Sequence, residues 1–149
     1  MNAFSLISIV ALAWLVQYAF TMVQIRHYRA AMKALIDEFR GVNGFHLFSG
    51  ISRKALGSGA IVLLIVDEEY QIRKCQILSG MSVFARFQPF TKYEGKHIQE
   101  ILKETESTIH AKRKVSAKQK SLAKAFHMAV ENAIRSISER QKNNLLIVS

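Results

Sequence analysis

The stretch Ala60–Val66, AIVLLIV, decides the fold of this chain. It is a continuous apolar run of strand length, rich in β-branched residues, with Gly57-Ser58-Gly59 before it and Asp67-Glu68-Glu69 after it. Such a run between turn-forming segments predicts a buried strand that leads into a turn. The three acids of that turn are expected to be solvated and not to form a catalytic carboxylate pair.

Further extended segments flank this strand along the chain. Gln71–Leu78 and Val83–Phe87 follow it, and Phe45–Phe48 precedes it as a candidate edge strand. Because the connections are short, we expect antiparallel neighbours, since parallel pairing needs a long crossover. Cys75 is the single cysteine, which excludes an intramolecular disulfide and fits a reducing compartment. We expect it to be a small buried thiol and not a nucleophile.

Two helices are predicted after the strands. Gly95–Glu106 places Ile98, Ile101 and Leu102 on one face. A longer helix, from about Ser116 to Gln141, carries an apolar stripe at helical spacing: Leu122, Phe126, Ala129, Ala133 and Ile137. Such a stripe docks on a sheet or on a partner helix. The body of the chain is therefore predicted to be a small α+β fold with an antiparallel sheet and C-terminal helices.

The N-terminal segment Ala3–Ile25, AFSLISIVALAWLVQYAFTMVQI, carries no charged residue. As a helix it is about 35 Å long at roughly 1.5 Å per residue, enough to cross a hydrocarbon core of about 30 Å. A cleaved signal peptide would need a basic start and a small-residue cleavage site, and a core helix would be apolar along one stripe only. The sequence therefore predicts a single transmembrane helix.

Basic residues come directly after this segment and set its predicted orientation. Arg26, Arg29 and Lys33 follow the span and no basic side chain precedes it, so the positive-inside rule places the body in the cytoplasm, beneath the cell membrane. Tyr28 is placed to act at the membrane interface. The helix is expected to continue as an amphipathic one with its apolar face at Ala30, Ala31, Ala34, Leu35 and Phe39, and to end at Gly41 and Gly44.

These features divide the chain into four predicted parts. They are a transmembrane anchor at residues 1–25, a juxtamembrane helix at 26–44, a small α+β domain at 45–106 and a basic C-terminal helical extension at 107–149. The formal net charge of the chain is +10. Much of the excess lies in a run without acids that is a candidate polyanion-binding segment: Lys112, Arg113, Lys114, Lys118, Lys120 and Lys124.

This basic run fits two kinds of partner. Lysines that neutralise phosphates give sequence-independent binding to nucleic acid, and polybasic cytoplasmic segments also bind anionic lipid. The run lacks interleaved aromatic residues, and Arg113 is its only arginine. The sequence therefore leaves DNA and a lipid surface both open.

No segment of the sequence predicts an active site or a cofactor. The five histidines have no metal-ligand spacing, and Gly57-Ser58-Gly59 belongs to no phosphate-binding or nucleophile motif. We therefore predict no catalytic residue, no cofactor, no metal and no enzymatic activity.

Several motifs together point to a family. They are Ser52-Arg53-Lys54 with Gly57 and Gly59, the block Gly80-Met81-Ser82-Val83-Phe84-Ala85-Arg86-Phe87, and Glu94-Gly95-Lys96. In these the chain, from Met1 to about Leu102, resembles the glucitol (sorbitol) operon activator family, the GutM-type transcriptional regulators. The resemblance implies positive control of an operon for uptake and phosphorylation of a sugar alcohol by a phosphotransferase system.

Within the family block the candidate motif residues are Gly80, Val83, Phe84, Ala85 and Arg86. Gly80 is expected to supply a positive φ before a strand. Arg86, at a strand end, either clamps a phosphate or carboxylate with its planar fork or makes a local cap or salt bridge.

Two functions of different classes follow. The first is a non-enzymatic, membrane-anchored transcriptional activator of a sugar-alcohol operon that contacts DNA or another transcription regulator. The second is a membrane-tethered accessory or scaffold that associates with sugar phosphotransferase components through the Leu122–Ile137 stripe, with a homo-oligomer as a further expectation.

Overall fold

Four antiparallel strands form one sheet in the order β1-β2-β3-β4. The structure is a computed structural model that describes residues 2–53, 59–80, 85–111 and 115–148. The strands are β1 (Phe45–Ser52), β2 (Gly59–Asp67), β3 (Ile72–Gly80) and β4 (Gln88–Pro89). The antiparallel sheet and its edge strand are confirmed, and the edge strand is longer than predicted.

The strand predicted at Val83–Phe87 is wrong over its described part. Ala85–Phe87 has no regular structure, Val83 and Phe84 lie outside the described residues, and the short strand β4 comes only afterwards. The side chain of Phe87 packs on the cluster formed by Leu35, Leu63 and Ile65. The segment therefore contacts the body through this aromatic side chain and is not paired as a strand.

Three α-helices complete the fold: α1 (Ala3–Glu38), α2 (Ile98–Ile109) and α3 (Ala117–Val148). The predicted anchor and the juxtamembrane helix are one continuous helix, α1, and Gly41 and Gly44 follow its end with φ of 82° and 88°. The second helix begins at Ile98, and His97 is its N-cap residue. The ring of His97 accepts a hydrogen bond from the backbone N–H of Gln99. The mixed α+β class is confirmed.

The central strand β2 is buried on both faces, which explains its unbroken run of apolar residues. Val62, Leu64 and Val66 point into a core shared with α3, whereas Leu63 and Ile65 point to the opposite face, against α1. The fold is therefore a sheet with α3 across one face and α2 packed beside α3, and with the C-terminal part of α1 against the other face.

The face of the sheet towards α3 holds the main core. Phe126, Ala129, Ala133 and Ile137 of the predicted stripe are buried there, and Leu122 packs at the edge. In the folded body this face of α3 is covered by the chain's own sheet. The face is therefore not available to a partner helix, the other partner that the sequence allowed for the stripe. The stripe is not a free docking surface for transporter components.

On the opposite face of the sheet, the C-terminal third of α1 packs over a small area. Leu35 is buried against Leu63 and Ile65, with a margin of partly buried residues that includes Tyr28, Met32 and Phe39. The predicted apolar face is thus correct at Leu35 and Phe39 but wrong at Ala30 and Ala34, which are exposed. The larger Tyr28 and Met32 side chains cover more of the sheet than alanines do, and they set which face turns inward.

The acidic turn after β2 also differs from expectation. The side chain of Asp67 is buried. Its carboxylate accepts a hydrogen bond from the backbone N–H of Gln71 at 2.8 Å and forms an ion pair with Arg73 Nε at 2.6 Å. Asp67 is therefore a structural residue of the turn and not a solvated acid. The adjacent Tyr70 has a φ of 62°.

Candidate functional site

Contacts along α1 show at which end of the sheet this helix leaves the body. The end of α1 lies where β2 ends, because the rings of Phe39 and Phe45 are 5.1 Å apart and Lys74 Nζ lies 3.0 Å from a Glu38 carboxylate oxygen. Ten residues before Glu38, the ring of Tyr28 lies 5.9 Å from the ring of Phe87. Tyr28 is therefore a contact between α1 and the body, and its role at a membrane interface stays a prediction.

The strand register gives these contacts a direction. Phe45 pairs with Asp67 at one end of the sheet, and Gly59 pairs with Gly80 at the other. Phe87 directly precedes Gln88, which pairs with Ile77 close to the Gly59–Gly80 end. We call the sheet end formed by Ser52, Gly59 and Gly80 the exit end, because α1 leaves the body there, and the opposite end the turn end.

The helix α3 begins at the exit end and runs towards the turn end. Ser121 Oγ donates to Ser52 Oγ over 3.1 Å, a contact buried at the exit end. Twenty residues later, Gln141 Oε1 accepts a hydrogen bond from the Tyr70 hydroxyl at 3.2 Å, at the turn end. The first turns of α3, with Lys118, Lys120 and Lys124, therefore lie at the exit end.

Exposed basic side chains of four described segments lie at the exit end. In α3, Lys118 and Lys124 are exposed and Lys120 is half-buried; Lys112, Arg113 and Lys114 lie outside the described residues. The other exposed bases at this end are Arg26 and Arg29 of α1, Arg53 after β1, and Arg86 before β4. Lys33, one turn further along α1, is exposed too.

The family block runs through this end. Gly80 has a φ of 142°, so the predicted positive φ is confirmed. Ala85 is half-buried. Within the described chain, Arg86 makes no ion pair, and its side chain points to solvent, so the local salt bridge considered for it is absent from this part of the structure.

Acidic side chains gather at the other end of the sheet, where they pair with bases. Arg73 pairs with Asp67 at 2.6 Å, Lys74 with Glu38 at 3.0 Å, and Arg40 lies 3.8 Å from Asp37. By contrast, the sequence has no acid in the ranges 40–66, 70–93 and 107–130, which supply most of the exit end. The exit end therefore has a positive potential that its own acids do not neutralise.

On the N-terminal side of Arg26, the helix α1 is apolar and is not covered by the body. Its large side chains are exposed, from Phe4 at 84% to Ile25 at 41%. Within the described residues, α1 is the single helix long and apolar enough to cross a membrane, and none of its apolar window is buried against the body. A soluble surface rarely carries an apolar patch of this length without a partner.

Sequence reasoning missed one cleft, of about 420 Å³, between α2, α3 and the turn Thr91–Tyr93. A Glu104 carboxylate oxygen lies 2.5 Å from Lys92 Nζ and accepts a hydrogen bond from the Tyr93 hydroxyl at 3.1 Å. The hydrogen bond from Lys92 holds the pKa of Glu104 below its ordinary value, and burial raises the pKa of Tyr93. No local motif in the sequence could have revealed this cleft, since its lining residues come from three separate segments.

The cleft offers polar groups and aromatic edges, and the Thr105 hydroxyl in its lining lies 3.5 Å from His127 Nδ1. The Cys75 thiol is buried, and its pKa is raised, first by burial and then by the Glu94 carboxylate. Across residues 2–53, 59–80, 85–111 and 115–148 there is no cluster of His, Cys, Asp or Glu side chains that could hold a metal ion. Two surface features of the described chain stand out as functional candidates: the exposed helix α1 and the basic exit end.

Fold and surface together define a class of protein: a small α+β body carried on one long apolar helix, with a basic surface where that helix leaves it. The chain belongs to the GutM family, the glucitol operon activator protein, whose family model matches residues 5–126. The match covers residues 5–38 of α1, the whole sheet, α2 and the first turns of α3, so it extends beyond Leu102, the approximate end of the resemblance in the sequence. Neither the curated proteins nor the solved structures gave a match.

Proposed function

We propose that this chain is a membrane-anchored, non-enzymatic activator of a glucitol (sorbitol) phosphotransferase operon, with its body on the cytoplasmic side. The family description supports the role in the operon. The exposed apolar helix supports the anchor, and Arg26, Arg29 and Lys33 directly after the span support the orientation.

The continuity of α1 carries this proposal. One helix without a break runs from Ala3, in the apolar segment, to Glu38, whose side chain pairs with Lys74 of the sheet. With residues 3–25 in the bilayer, the part of the helix left for the cytoplasm is about 20 Å long at roughly 1.5 Å per residue. The body is therefore held directly beneath the membrane and not on a flexible tether.

This placement favours control through another regulator over direct DNA contact. The helices α2 and α3 pack side by side in the core, with Thr105 Oγ1 and His127 Nδ1 3.5 Å apart. Their apolar faces are turned to the sheet, and the basic start of α3 lies on the side from which α1 leaves for the membrane. A recognition helix that enters a major groove needs free access from the solvent side.

The anchor is tested by replacing Leu12 and Leu15, both exposed in α1, with arginine. Each arginine at mid-span costs about 2.5–3.5 kcal/mol of insertion free energy. We expect the double variant to leave the membrane fraction and operon induction to fall to the level of a deletion strain. The matched control is Met128→Arg with Leu145→Arg, at two exposed apolar positions of α3. Full induction by a soluble Leu12→Arg, Leu15→Arg protein would exclude a required anchor.

The route to the promoter is tested with full-length protein in detergent micelles and operon DNA in a gel-shift assay. Relay through another regulator predicts no shift even at low salt. A shift that weakens steeply as salt rises would instead assign DNA contact to this chain, because released counterions drive such binding.

A further inference from the structure

We propose that the exit end of the body binds the anionic phospholipid headgroups of the membrane that α1 spans. The inference rests on the proposed anchor, and it adds a second attachment that is electrostatic and made by the folded body. The partner is one leaflet of lipid that carries phosphate groups with net negative charge.

The first argument is distance along α1. The last residue of the uncharged segment is Ile25, and the contact between the Tyr28 and Phe87 rings, at 5.9 Å, comes three residues later. At roughly 1.5 Å per residue, the exit end begins about 5 Å of helix rise below the apolar segment. The polar headgroup region adds about 5–8 Å on each side of the hydrocarbon core. The exit end therefore lies at headgroup depth.

The second argument is charge. Arg26, Arg29, Arg53, Arg86, Lys118 and Lys124 are exposed side chains from four segments that the fold brings to this end. No acid falls within the sequence ranges 40–66, 70–93 and 107–130, to which four of these six belong. Bases within a Debye length, about 8 Å at physiological salt, are attracted to an anionic leaflet.

The third argument is the contrast with the turn end. There Arg73, Lys74 and Arg40 each lie within ion-pair distance of an acid of the same chain. An ion pair within the chain leaves little charge for a partner. Among the described residues no ion pair involves an exit-end base, whereas three bases are paired at the turn end, where Arg140, 3.2 Å from His46 Nδ1, is an exception.

DNA is the competing polyanion, and the same geometry disfavours it. The exit end is the end of the body from which α1 leaves, so in an anchored protein it is the end nearest the bilayer, which limits the approach of duplex DNA to its bases. The lysines in the described part of this end also lack interleaved aromatic side chains for stacking or base readout.

The proposal is tested by fluorescence energy transfer from the full-length protein to an acceptor lipid in vesicles. A single label is placed at Ala117→Cys, exposed at the start of α3, or at Asn143→Cys, exposed near its far end. Cys75 is buried with a raised pKa, so it stays unlabelled. We expect transfer from position 117 to rise about twofold when roughly a third of the phosphatidylcholine is replaced by phosphatidylglycerol, and to return towards its starting value in high salt.

Two double variants with the same loss of charge on the same helix isolate the surface. Lys118→Gln with Lys124→Gln is expected to remove most of the rise at position 117, whereas Arg135→Gln with Lys142→Gln is expected to leave it unchanged. All four positions are exposed on α3. The label at position 143 is expected to show no dependence on lipid charge in any variant.

Resistance to alkaline extraction, measured on the same vesicles, separates this inference from the anchor on which it rests. Protein that resists extraction but transfers equally in neutral and anionic vesicles would keep the anchor and overturn the headgroup contact. Protein that is extracted would overturn both. Binding of duplex DNA that depends on Lys118 and Lys124, with no response to lipid charge, would make the exit end a nucleic-acid surface instead.

Discussion

The two faces of the sheet are covered to very different extents. On one face, α2 and α3 bury a continuous core that includes Phe126, Ile98 and Val62. On the other, α1 buries little more than Leu35 against Leu63 and Ile65. Since burial of apolar area is the main source of folding free energy, the body is stabilised on the α3 face, and the α1 face is a small joint between the body and its anchor.

The largest expected effect is at Gly50 of β1, on the α3 face. A Cβ at this position would overlap the carbonyl oxygen of Ala125 and lie 2.7 Å from the Ala129 nitrogen. Gly50→Ala therefore has to push the backbone of α3 off the sheet, which costs several kcal/mol. We expect the protein to lose its cooperative unfolding transition and to collect in inclusion bodies, measured by circular dichroism and solubility.

The matched control is Gly41→Ala. Gly41 has a φ of 82° but nothing within 4 Å of its Cβ position, so this variant tests backbone strain alone, about 1–2 kcal/mol. Equal damage from both substitutions would mean that the close packing of β1 against α3 is not what holds this face together.

Truncation of the largest fully buried side chain in the core on the α3 face comes next. Phe126 is 1% exposed and its ring lies 4.8 Å from that of Tyr93 and 5.3 Å from that of Phe90. Phe126→Ala is expected to lower the free energy of unfolding by about 3–5 kcal/mol, measured by urea denaturation in micelles. Met128→Ala, at an exposed site two residues further along α3, is expected to change it by less than about 0.5 kcal/mol.

The joint on the α1 face is weakened by Leu35→Ala, with a smaller and more local effect. The side chain of Leu35 is 1% exposed, but its neighbours Met32 and Phe39 are only partly buried. We expect docking of α1 to lose about 2–3 kcal/mol, while the core on the α3 face stays folded. Hydrogen exchange should then accelerate in residues 28–39 and stay slow in β2 and α3. Ile36→Ala, exposed on the same helix, should leave exchange unchanged.

The difference between the two faces also explains what could be read from the sequence. The stripe Phe126, Ala129, Ala133 and Ile137 repeats at helical spacing over several turns, so α3 and its buried face were predictable. On α1 the apolar residues of the predicted span continue without a change of pattern into the part of the helix that packs on the sheet. The sequence pattern there fits an inner face formed by the alanines as well as one formed by Tyr28 and Met32. Periodicity there could not settle the orientation of the helix.

The candidate site was predictable in part. The basic residues Arg26, Arg29, Lys118 and Lys124 are visible as charge runs in the sequence. Their meeting at one end of the sheet depends on the direction in which α3 crosses β1, which the contact of Ser121 with Ser52 fixes over a long sequence separation. The cleft beside Glu104 depends on the same kind of long-range packing, and no single segment of sequence encodes it.

The smallest expected effect concerns that cleft, at the solvent edge of the α3 face, through the ion pair of Glu104 with Lys92. The Glu104 side chain is 39% exposed and that of Lys92 57%, so Glu104→Gln is expected to lower the free energy of unfolding by no more than about 1 kcal/mol at neutral pH.

The pKa of Glu104 is lowered in the folded state, chiefly by the hydrogen bond from Lys92. A carboxylate with a lowered pKa stabilises the fold at pH values above its unfolded pKa, about 4.3, and this stabilisation is lost as the pH falls through the folded value. The difference between wild type and variant should therefore be constant near neutrality and vanish in acid, measured by urea denaturation across that range. Glu100→Gln, exposed on the same helix, should show a smaller difference at every pH; if the two variants are indistinguishable, the ion pair adds nothing to the α3 face.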